Sequence, residues 1–276
     1  MNALVDALVE RVQQAMAPTS GRSADAAFQW QYGAGWNANT TFVPTEVIHA
    51  AGRNDHRIAR KIDHTMLKPE VTHDDLVRLC EEAAKHRFYS VCVNSSNVPL
   101  CVELLRGTGV LTICVVGFPL GASLPQVKAY EALLFNDPAT REIDTVINIG
   151  ALKSGDFDTV LADLAMTVEA CKPYPLKVIL ETSKLTQEEK VAGCVLSREA
   201  GAAFVKTSTG FGGGGATIED VRLMKQVVGA AGLKVKASGG VRNNEDAWAM
   251  VEAGADRIGA SSSVAVVTGG QGQAGY

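Results

Sequence analysis

Two lysines lie in short apolar runs thirty residues apart, where an ammonium group is unexpected. Lys206 follows Phe204 and Val205, and Lys236 follows Val235. A lysine is rarely buried without a partner, because loss of hydration penalises the charged form and lowers its pKa from ~10.4. An amine with a lowered pKa is nucleophilic, and a second ammonium beside it is the arrangement that activates a Schiff-base lysine.

A carboxylate completes the group that could carry this chemistry. Asp144 lies in an earlier apolar run. Because side chains alternate between the two faces of a strand, both lysines can point into one interior, and Asp144 would add a charge of opposite sign there. A lysine that snorkels from an edge strand is the alternative for either residue alone. Together the three predict an amine that adds to a carbonyl and a relay that moves the protons of imine and enamine formation.

Glycine-rich segments follow the last two predicted strands. Gly239 and Gly240 follow one of them, and Ser261 and Ser262 follow the other. In (β/α)₈ enzymes these two loops and a short extra helix form a phosphate site, to which glycines admit backbone N–H groups and serines add hydroxyl donors. Glycines required only for tight turns are the alternative. We therefore expect a phosphorylated substrate.

A third glycine-rich loop, residues 210–215, comes directly after the segment that holds Lys206. It matches a dinucleotide-binding fingerprint only loosely and lacks the Rossmann context. We interpret it as a mobile or phosphate-proximal loop that begins at Gly210.

Strands and helices that could position these residues alternate from about residue 57. Val- and Ile-rich runs separated by amphipathic segments are typical of parallel strands connected by helices. Eight such units predict a (β/α)₈ barrel over residues 57–276, and a 276-residue chain is close to the ~250 residues of one barrel. The predicted strands are Lys61 to Leu67, Ser90 to Asn94, Leu111 to Phe118, Ile143 to Ile149, Leu176 to Glu181, Phe204 to Thr207, Val235 to Ala237 and Arg257 to Gly259.

Helix ends agree with this pattern. Threonines followed by acidic residues predict helix N-termini, and glycines predict C-termini. In a barrel the catalytic groups lie at the carboxyl ends of the strands. The predicted N-caps are Thr72, Thr186 and Thr217, and the C-terminal glycines are Gly201, Gly232 and Gly254; the polar residues expected to close strands are Asp63, Asn94, Asp144, Glu181, Lys206, Lys236 and Ser261.

Residues 1–56 do not follow the strand and helix repeat. Leu4, Leu8 and Val12 belong to a helical apolar stripe, and a segment rich in Gly, Asn and Thr follows it. We predict an N-terminal helical extension that packs on the barrel or on a neighbouring subunit.

Composition excludes several classes of function. A net charge of −4 without a Lys/Arg cluster argues against nucleic acid as a partner. No apolar stretch of about twenty residues is present, so no membrane span and a cytoplasmic location are expected. The six cysteines are irregularly spaced and mostly in apolar surroundings, which predicts reduced core residues. The oligomeric state stays open, and a homodimer is compatible with the sequence.

Other chemistries have weaker signals. The five histidines have neither an HExxH motif nor paired spacing, so no metal site is predicted. Ser183 and Ser208 lack the GxSxG context of an acyl-transfer nucleophile. Cys92 is interpreted as a core residue rather than a nucleophile.

The chain resembles the deoxyribose-phosphate aldolases, a family of class I aldolases, from about Ile62 to Ser263. The segments that carry the resemblance are Phe204-Val205-Lys206-Thr207-Ser208-Thr209-Gly210, Lys236 through Ser238-Gly239-Gly240-Val241-Arg242, Ile143-Asp144-Thr145-Val146, Ile258-Gly259-Ala260-Ser261-Ser262, Asp63-His64-Thr65-Met66-Leu67 and Lys177-Val178-Ile179-Leu180-Glu181-Thr182.

The resemblance implies reversible cleavage of 2-deoxy-D-ribose 5-phosphate into D-glyceraldehyde 3-phosphate and acetaldehyde, without a cofactor. It places the Schiff-base lysine at Lys206, the second lysine at Lys236, the proton-relay aspartate at Asp144 and an aspartate that orients the substrate hydroxyl at Asp63. The phosphate-binding residues it implies are Gly210, Gly239, Gly240, Ser261 and Ser262.

This chain departs from some members of the family at the phosphate end. Those members have a lysine after the Thr-Ser-Thr-Gly segment, where Phe211 stands here. Phosphate binding would then depend on backbone amides, the serines and Arg242 or Lys184. A further hypothesis concerns Tyr276, which would fold over the barrel mouth and assist proton transfer at the acetaldehyde carbon; a disordered tail is the alternative.

Two other functions remain open on the sequence. One is a different lysine-imine aldolase, of the transaldolase or fructose-phosphate type, which would share the fold and the phosphate loops. The other is a non-catalytic sugar-phosphate sensor, which would not need a neutral lysine.

Overall fold

Eight parallel strands close into a barrel in the computed structural model, which describes residues 55–135 and 140–272. The strands are β1 (Ile62–Met66), β2 (Ser90–Asn94), β3 (Leu111–Val116), β4 (Thr140–Val146), β5 (Leu176–Ile179), β6 (Phe204–Lys206), β7 (Lys234–Ser238) and β8 (Arg257–Ala260). Each strand pairs with the next along the chain, and β8 pairs with β1. The predicted (β/α)₈ fold is confirmed. The predicted N-terminal extension lies outside the described residues, apart from its last two positions.

Helices surround the barrel and connect successive strands. They are α1 (His56–Ala59), α2 (His73–His86), α3 (Val98–Leu104), α4 (Pro125–Leu134), α5 (Ile149–Lys153), α6 (Phe157–Cys171), α7 (Gln187–Glu199), α8 (Ile218–Val228), α9 (Asn244–Glu252) and α10 (Ser263–Thr268), and short 3₁₀ turns span Ser95–Asn97, Thr182–Lys184 and Gly229–Ala231.

The predicted helix ends are confirmed. Thr72 and Thr186 each form a capping box, in which the side chains of the cap and of the third helical residue bond to each other's backbone N–H. The Thr217 hydroxyl accepts the N–H of Asp220. Past the ends of α7 and α9 the chain turns through Gly201 and Gly254, with φ of +85° and +117°.

The strand limits differ from the prediction by two or more residues at four places. β4 begins at Thr140, three residues earlier than expected, because Glu142 is held inside the barrel by ion pairs that no local pattern reveals. It ends at Val146, three residues before the expected Ile149, which is instead the first residue of α5. β3 and β5 end earlier than expected. Gly117 and Glu181, just beyond their ends, have φ of +58°, a left-handed conformation that does not continue a strand.

Apolar side chains form two separate clusters. The main cluster lies between the strands and the helices and includes Val205 and Val235. A small cluster lies inside the barrel on the β1 to β3 side and consists of Leu67, Cys92, Ile113 and Val115, with Phe118 against it. Charged groups occupy much of the remaining interior, as described below.

Two further expectations from the sequence concern the state of the cysteines and the absence of membrane-spanning helices. All six cysteines are free and buried, as predicted for reduced core residues. Within residues 55–135 and 140–272, no helix combines the length and the hydropathy that a membrane-spanning helix needs.

Candidate active site

Lys206 and Lys236 occupy neighbouring positions in the barrel interior. Lys206 is the last residue of β6 and pairs in register with Lys236, the third residue of β7. Their valine neighbours face the outer apolar layer, so strand alternation directs both lysines inward. Lys206 is 2% exposed and Lys236 is fully buried. The predicted convergence of the two side chains is therefore confirmed.

Asp144 is the acceptor that both ammonium groups share. Its Oδ2 lies 2.8 Å from Lys206 Nζ and 2.9 Å from Lys236 Nζ. Its Oδ1 lies 3.0 Å from the Nζ of Lys177, the residue beside it on β5. The structure thus brings the three predicted residues together and adds a third lysine.

Two further charged residues that the sequence did not single out as site residues, Glu142 and Arg257, belong to the same assembly, together with the predicted Asp63. Glu142 accepts from Lys177 at 2.5 Å, and Arg257 lies 3.2 Å from Glu142 and 2.8 Å from Asp63. Asp63 Oδ2 lies 2.6 Å from Lys236 Nζ. These contacts close a charged ring of alternating sign whose members, in order, are Asp144, Lys177, Glu142, Arg257, Asp63 and Lys236.

The charge of this ring singles out Lys206. Its three carboxylates and three cations sum to a formal charge of zero. Lys206 is attached to the ring through its ion pair with Asp144, and a charged Lys206 would leave one uncompensated positive charge in a buried site. Uncompensated buried charge is strongly unfavourable. Lys206 is therefore the amine whose neutral form suits the site.

The pKa directions agree with this count. Burial lowers the pKa of Lys206; the nearby Asp144 opposes that effect and Lys236 adds to it, and the pKa lies below its ordinary value. Burial acts on Lys236 in the same direction, but Asp144 and Asp63 together raise its pKa well above the ordinary value. The surrounding charges thus favour the protonated form of Lys236 and the neutral form of Lys206.

Asp144 is held in its ionised form. Burial by itself raises the pKa of this carboxyl, but Lys177, Lys206 and Lys236 outweigh burial and bring the pKa well below its usual range. Asp144 is therefore a charged hydrogen-bond acceptor beside the Lys206 amine.

Asp63 does not lie where the sequence placed it. It is the second residue of β1, not a residue that closes the strand, and it is fully buried. Its carboxylate contacts Lys236 and Arg257 and accepts the hydroxyl of Ser90 at 2.7 Å. The strand position was wrong because the barrel uses several layers of inward side chains, and the layer of a given residue depends on strand tilt and register. Its role toward the substrate stays a prediction.

The predicted phosphate residues line one cavity. Gly210, Gly239, Gly240, Ser261 and Ser262 surround a space of about 330 Å³ together with Gly213 to Gly215, Val241, Arg242, Gly259 and Ala260. The cavity lies at the carboxyl ends of β6, β7 and β8, where the barrel fold was expected to place it. The lining residues come from all three glycine-rich loops, so the predicted proximity of these loops is confirmed.

Close backbone approach explains two of these glycines. Gly239 has φ of +82°, which is unfavourable for residues with a Cβ. A Cβ on Gly215 would lie 2.7 Å from the carbonyl oxygen of Gly239. The loops after β6 and β7 can therefore meet only through backbone without side chains.

The three residues discussed for phosphate selectivity lie in different places. Arg242 is exposed and lines the cavity. Lys184 is exposed and does not line it. Phe211 is 42% exposed and makes an edge-to-face contact with Phe118, at 5.5 Å between ring centroids. Of the two cations considered, Arg242 is the one at the site.

Two other expected strand-closing residues have local roles. The Asn94 amide donates to the carbonyl of Leu67 at 2.9 Å. Glu181 is buried and accepts both the backbone N–H and the hydroxyl of Thr209, at the start of the glycine-rich loop after β6. The sequence predicted Glu181 only as a polar residue that closes the fifth strand.

Tyr276, proposed from the sequence as a proton-transfer group, lies outside the described residues. In residues 55–135 and 140–272, no cluster of three or more His, Cys, Asp or Glu side chains has an arrangement suited to a metal ion.

Comparisons with known proteins agree on one family. A sequence model described as DeoC/LacD family aldolase matches residues 54–273. Deoxyribose-phosphate aldolase of Bdellovibrio bacteriovorus is 50% identical over 220 residues, which cover 80% of this chain and 100% of the relative. The enzyme of that name from Halalkalibacterium halodurans is 53% identical over 221 residues, which cover 79% of this chain and 98% of the relative.

A solved structure shares the fold over most of the chain. It is a crystal structure from Coccidioides immitis, provisionally assigned to the same activity. It is 37% identical, has a TM-score of 0.77, and the match covers 96% of this chain and 96% of that chain.

Proposed function

This chain belongs to the DeoC/LacD family of aldolases, and we propose that it reversibly cleaves 2-deoxy-D-ribose 5-phosphate into D-glyceraldehyde 3-phosphate and acetaldehyde. That activity is the one its relatives are named for, and the matched segments span 98% or more of those relatives. The observation that carries the mechanism is the buried Lys206, attached to a ring of charges that is already neutral without it.

The cleavage begins with the neutral amine of Lys206. Nζ adds to the aldehyde carbon C1 of the open-chain sugar, and loss of water gives an imine. The imine accepts the electron pair of the C2–C3 bond when the C3 hydroxyl loses its proton. Glyceraldehyde 3-phosphate then leaves, and an enamine remains on Lys206. Protonation at C2 and hydrolysis release acetaldehyde and restore the amine.

Asp144 and Lys236 serve this sequence in different ways. Asp144 contacts both amines, so it can take a proton near Lys206 and return one. Lys236 stays charged and disfavours a second ammonium beside it. The contacts of Asp63 with Lys236 and Arg257 favour a role in holding Lys236, in addition to the orientation of the substrate hydroxyl that the resemblance implies.

The phosphate of the substrate would occupy the cavity at the ends of β6 to β8. Backbone N–H groups, the hydroxyls of Ser261 and Ser262 and the guanidinium of Arg242 are the donors that line it. Its position next to the segment that begins at Lys206 supports a substrate with a carbonyl at one end and a phosphate at the other.

Replacing Arg242 with methionine is expected to raise KM for the phosphorylated substrate about tenfold with little change in kcat, because a charged phosphate donor is lost away from the reacting carbon. Lys184→Met is the matched control, since Lys184 is also an exposed cation near these loops but does not line the cavity. Steady-state kinetics of both variants decides the point. A larger effect at Lys184 than at Arg242 would contradict the assignment.

Borohydride reduction in the presence of acetaldehyde tests the imine directly. Mass spectrometry is expected to find a reduced two-carbon unit on Lys206 and on no other lysine. A protein that takes up no label would favour the sugar-phosphate sensor. Efficient turnover of a ketose phosphate, with none of deoxyribose 5-phosphate, would favour the other lysine-imine aldolases.

Two predictions from the sequence remain proposals. The described chain reaches Gly272, whose N–H donates to the Arg242 carbonyl at 2.9 Å beside the phosphate cavity, four residues before Tyr276. Four extended residues span at most about 14 Å, which supports a role for Tyr276 near the barrel mouth. A homodimer also stays a proposal, and a native mass measurement would decide it.

A further inference from the structure

His64 links three elements on the outer side of β1. Its Nε2 lies 2.9 Å from Oε2 of Glu82 on α2, and its Nδ1 lies 2.9 Å from the Oγ of Ser263, the first residue of α10. The imidazole is 3% exposed, whereas Glu82 reaches solvent with a side chain that is 37% exposed. A carboxylate, an imidazole and a hydroxyl therefore form one hydrogen-bonded chain from the surface to the end of β8.

His64 is a polar residue on an otherwise apolar face of β1. Strand alternation puts Ile62, His64 and Met66 on the same face of β1, and both Ile62 and Met66 pack in the main apolar cluster. A buried imidazole loses hydration that an aliphatic side chain would not, so its two hydrogen bonds must compensate. Packing alone does not explain a histidine here.

The hydroxyl that His64 contacts closes the turn that carries the serines of the phosphate cavity. Ser263 Oγ lies 2.8 Å from the carbonyl oxygen of Ala260, and the two residues between them are Ser261 and Ser262. His64 also pairs in register with Ala260 across β1 and β8. The imidazole is thus connected to this turn through a strand pairing and through a side chain.

We propose that His64, oriented by Glu82, is a positioning residue that holds the turn Ala260–Ser263 in the shape that binds the substrate phosphate. The proposal rests on the phosphate site of the proposed function. His64 faces away from the barrel interior and from Lys206, so its loss is expected to weaken phosphate binding and to leave the imine chemistry unchanged.

Two substitutions separate the two hydrogen bonds of the imidazole. In His64→Asn the amide nitrogen takes approximately the place of Nδ1 and can donate to Ser263, whereas in His64→Gln it takes approximately the place of Nε2 and can reach Glu82 only. We expect KM for deoxyribose 5-phosphate, and the inhibition constant of inorganic phosphate, to rise about tenfold in His64→Gln and less than about threefold in His64→Asn. In both variants kcat should stay within about threefold of wild type.

Ser263→Ala removes the same hydrogen bond from the other side. We expect it to reproduce the His64→Gln phenotype, and the double variant to be no worse than either single one, because contacting residues that act through one interaction are not additive. His86→Gln is the matched control. It alters another buried histidine, whose ring contacts Phe88 as the ring of His64 does, and both KM and the inhibition constant of phosphate should stay at the wild-type value.

Each result supports or overturns the proposal. A selective rise of KM and of the phosphate inhibition constant in His64→Gln and Ser263→Ala supports it. If kcat falls by the same factor as phosphate affinity, or if neither KM nor the phosphate inhibition constant changes, the positioning role is overturned and the proposed function stays intact. A wild-type protein that cleaves no deoxyribose 5-phosphate refutes the proposed function itself and the positioning role with it. If wild type cleaves this substrate but inorganic phosphate does not inhibit it, the positioning role is overturned and the proposed function stands.

Discussion

Substitution of Lys206 with methionine is expected to lower kcat/KM for deoxyribose 5-phosphate by about 10⁴-fold or more, because no other amine can take its place in forming the imine. Lys236 is close but stays charged, since Asp144 and Asp63 hold its pKa well above the ordinary value. Steady-state kinetics, together with the absence of borohydride trapping by acetaldehyde, checks this result.

The same variant is expected to remain folded with an unfolding midpoint at or above that of wild type. Methionine removes the one cation that the charged ring does not balance and keeps an unbranched side chain of similar length. Lys206→Arg is the matched comparison. It should be equally inactive but less stable, because it adds a permanent positive charge and the ring has no unpaired negative charge to compensate it. Thermal unfolding compares the two variants. An arginine variant more stable than the methionine variant would contradict the sum of charges in the ring.

Replacing Lys236 with leucine is expected to move the acid limb of the kcat/KM profile to higher pH by about one to two units, and to lower activity at pH 7 about 10- to 100-fold. The substitution leaves the charged ring with one excess negative charge, which favours the protonated form of Lys206 and raises its pKa. A raised pKa means that less neutral amine is present at a given pH, so activity should recover as the pH increases. A pH profile of purified variant and wild type measures the shift.

An opposite change of charge provides the sharpest control. Glu142→Gln removes a negative charge at the far side of the ring, where Glu142 contacts Lys177 and Arg257. The ring then has one excess positive charge, and the acid limb is expected to move to lower pH. Equal shifts of both variants in one direction would refute the idea that the net charge of the ring sets the pKa of Lys206.

The barrel could be predicted from the sequence because the signals that specify its strands and helices are local. Alternating Val- and Ile-rich runs, threonine caps and helix-terminal glycines act over a few residues, and the strands and helices formed where these signals predicted them. The errors were confined to the ends of strands. The start of β4 was missed because Thr140, Arg141 and Glu142 are polar, and Glu142 buries its charge only against Lys177 and Arg257 on other strands.

The central part of the site was also predictable, for a specific reason. Lys206, Lys236 and Asp144 are charged residues inside apolar runs, and such residues require a partner whatever the fold. Lys177 gives the same signal within β5, where it belongs to a segment that carries the family resemblance. Arg257 and His64 give weaker signals of function in the sequence, because a charged residue at the start of a strand or a single histidine has many ordinary explanations.

The sequence by itself thus determined the type of chemistry, an amine nucleophile beside a second amine and a carboxylate, and the fold that holds them. The family resemblance assigned the Schiff base to Lys206, but only the tertiary structure explains the choice of Lys206, rather than Lys236, as the neutral amine. That choice depends on how three carboxylates and three cations from β1, β4, β5, β7 and β8 close into one ring, so that Lys206 alone is left over. The physical reason is that a buried pKa is set by the sum of nearby charges, and these charges become neighbours only when distant strands pair in register.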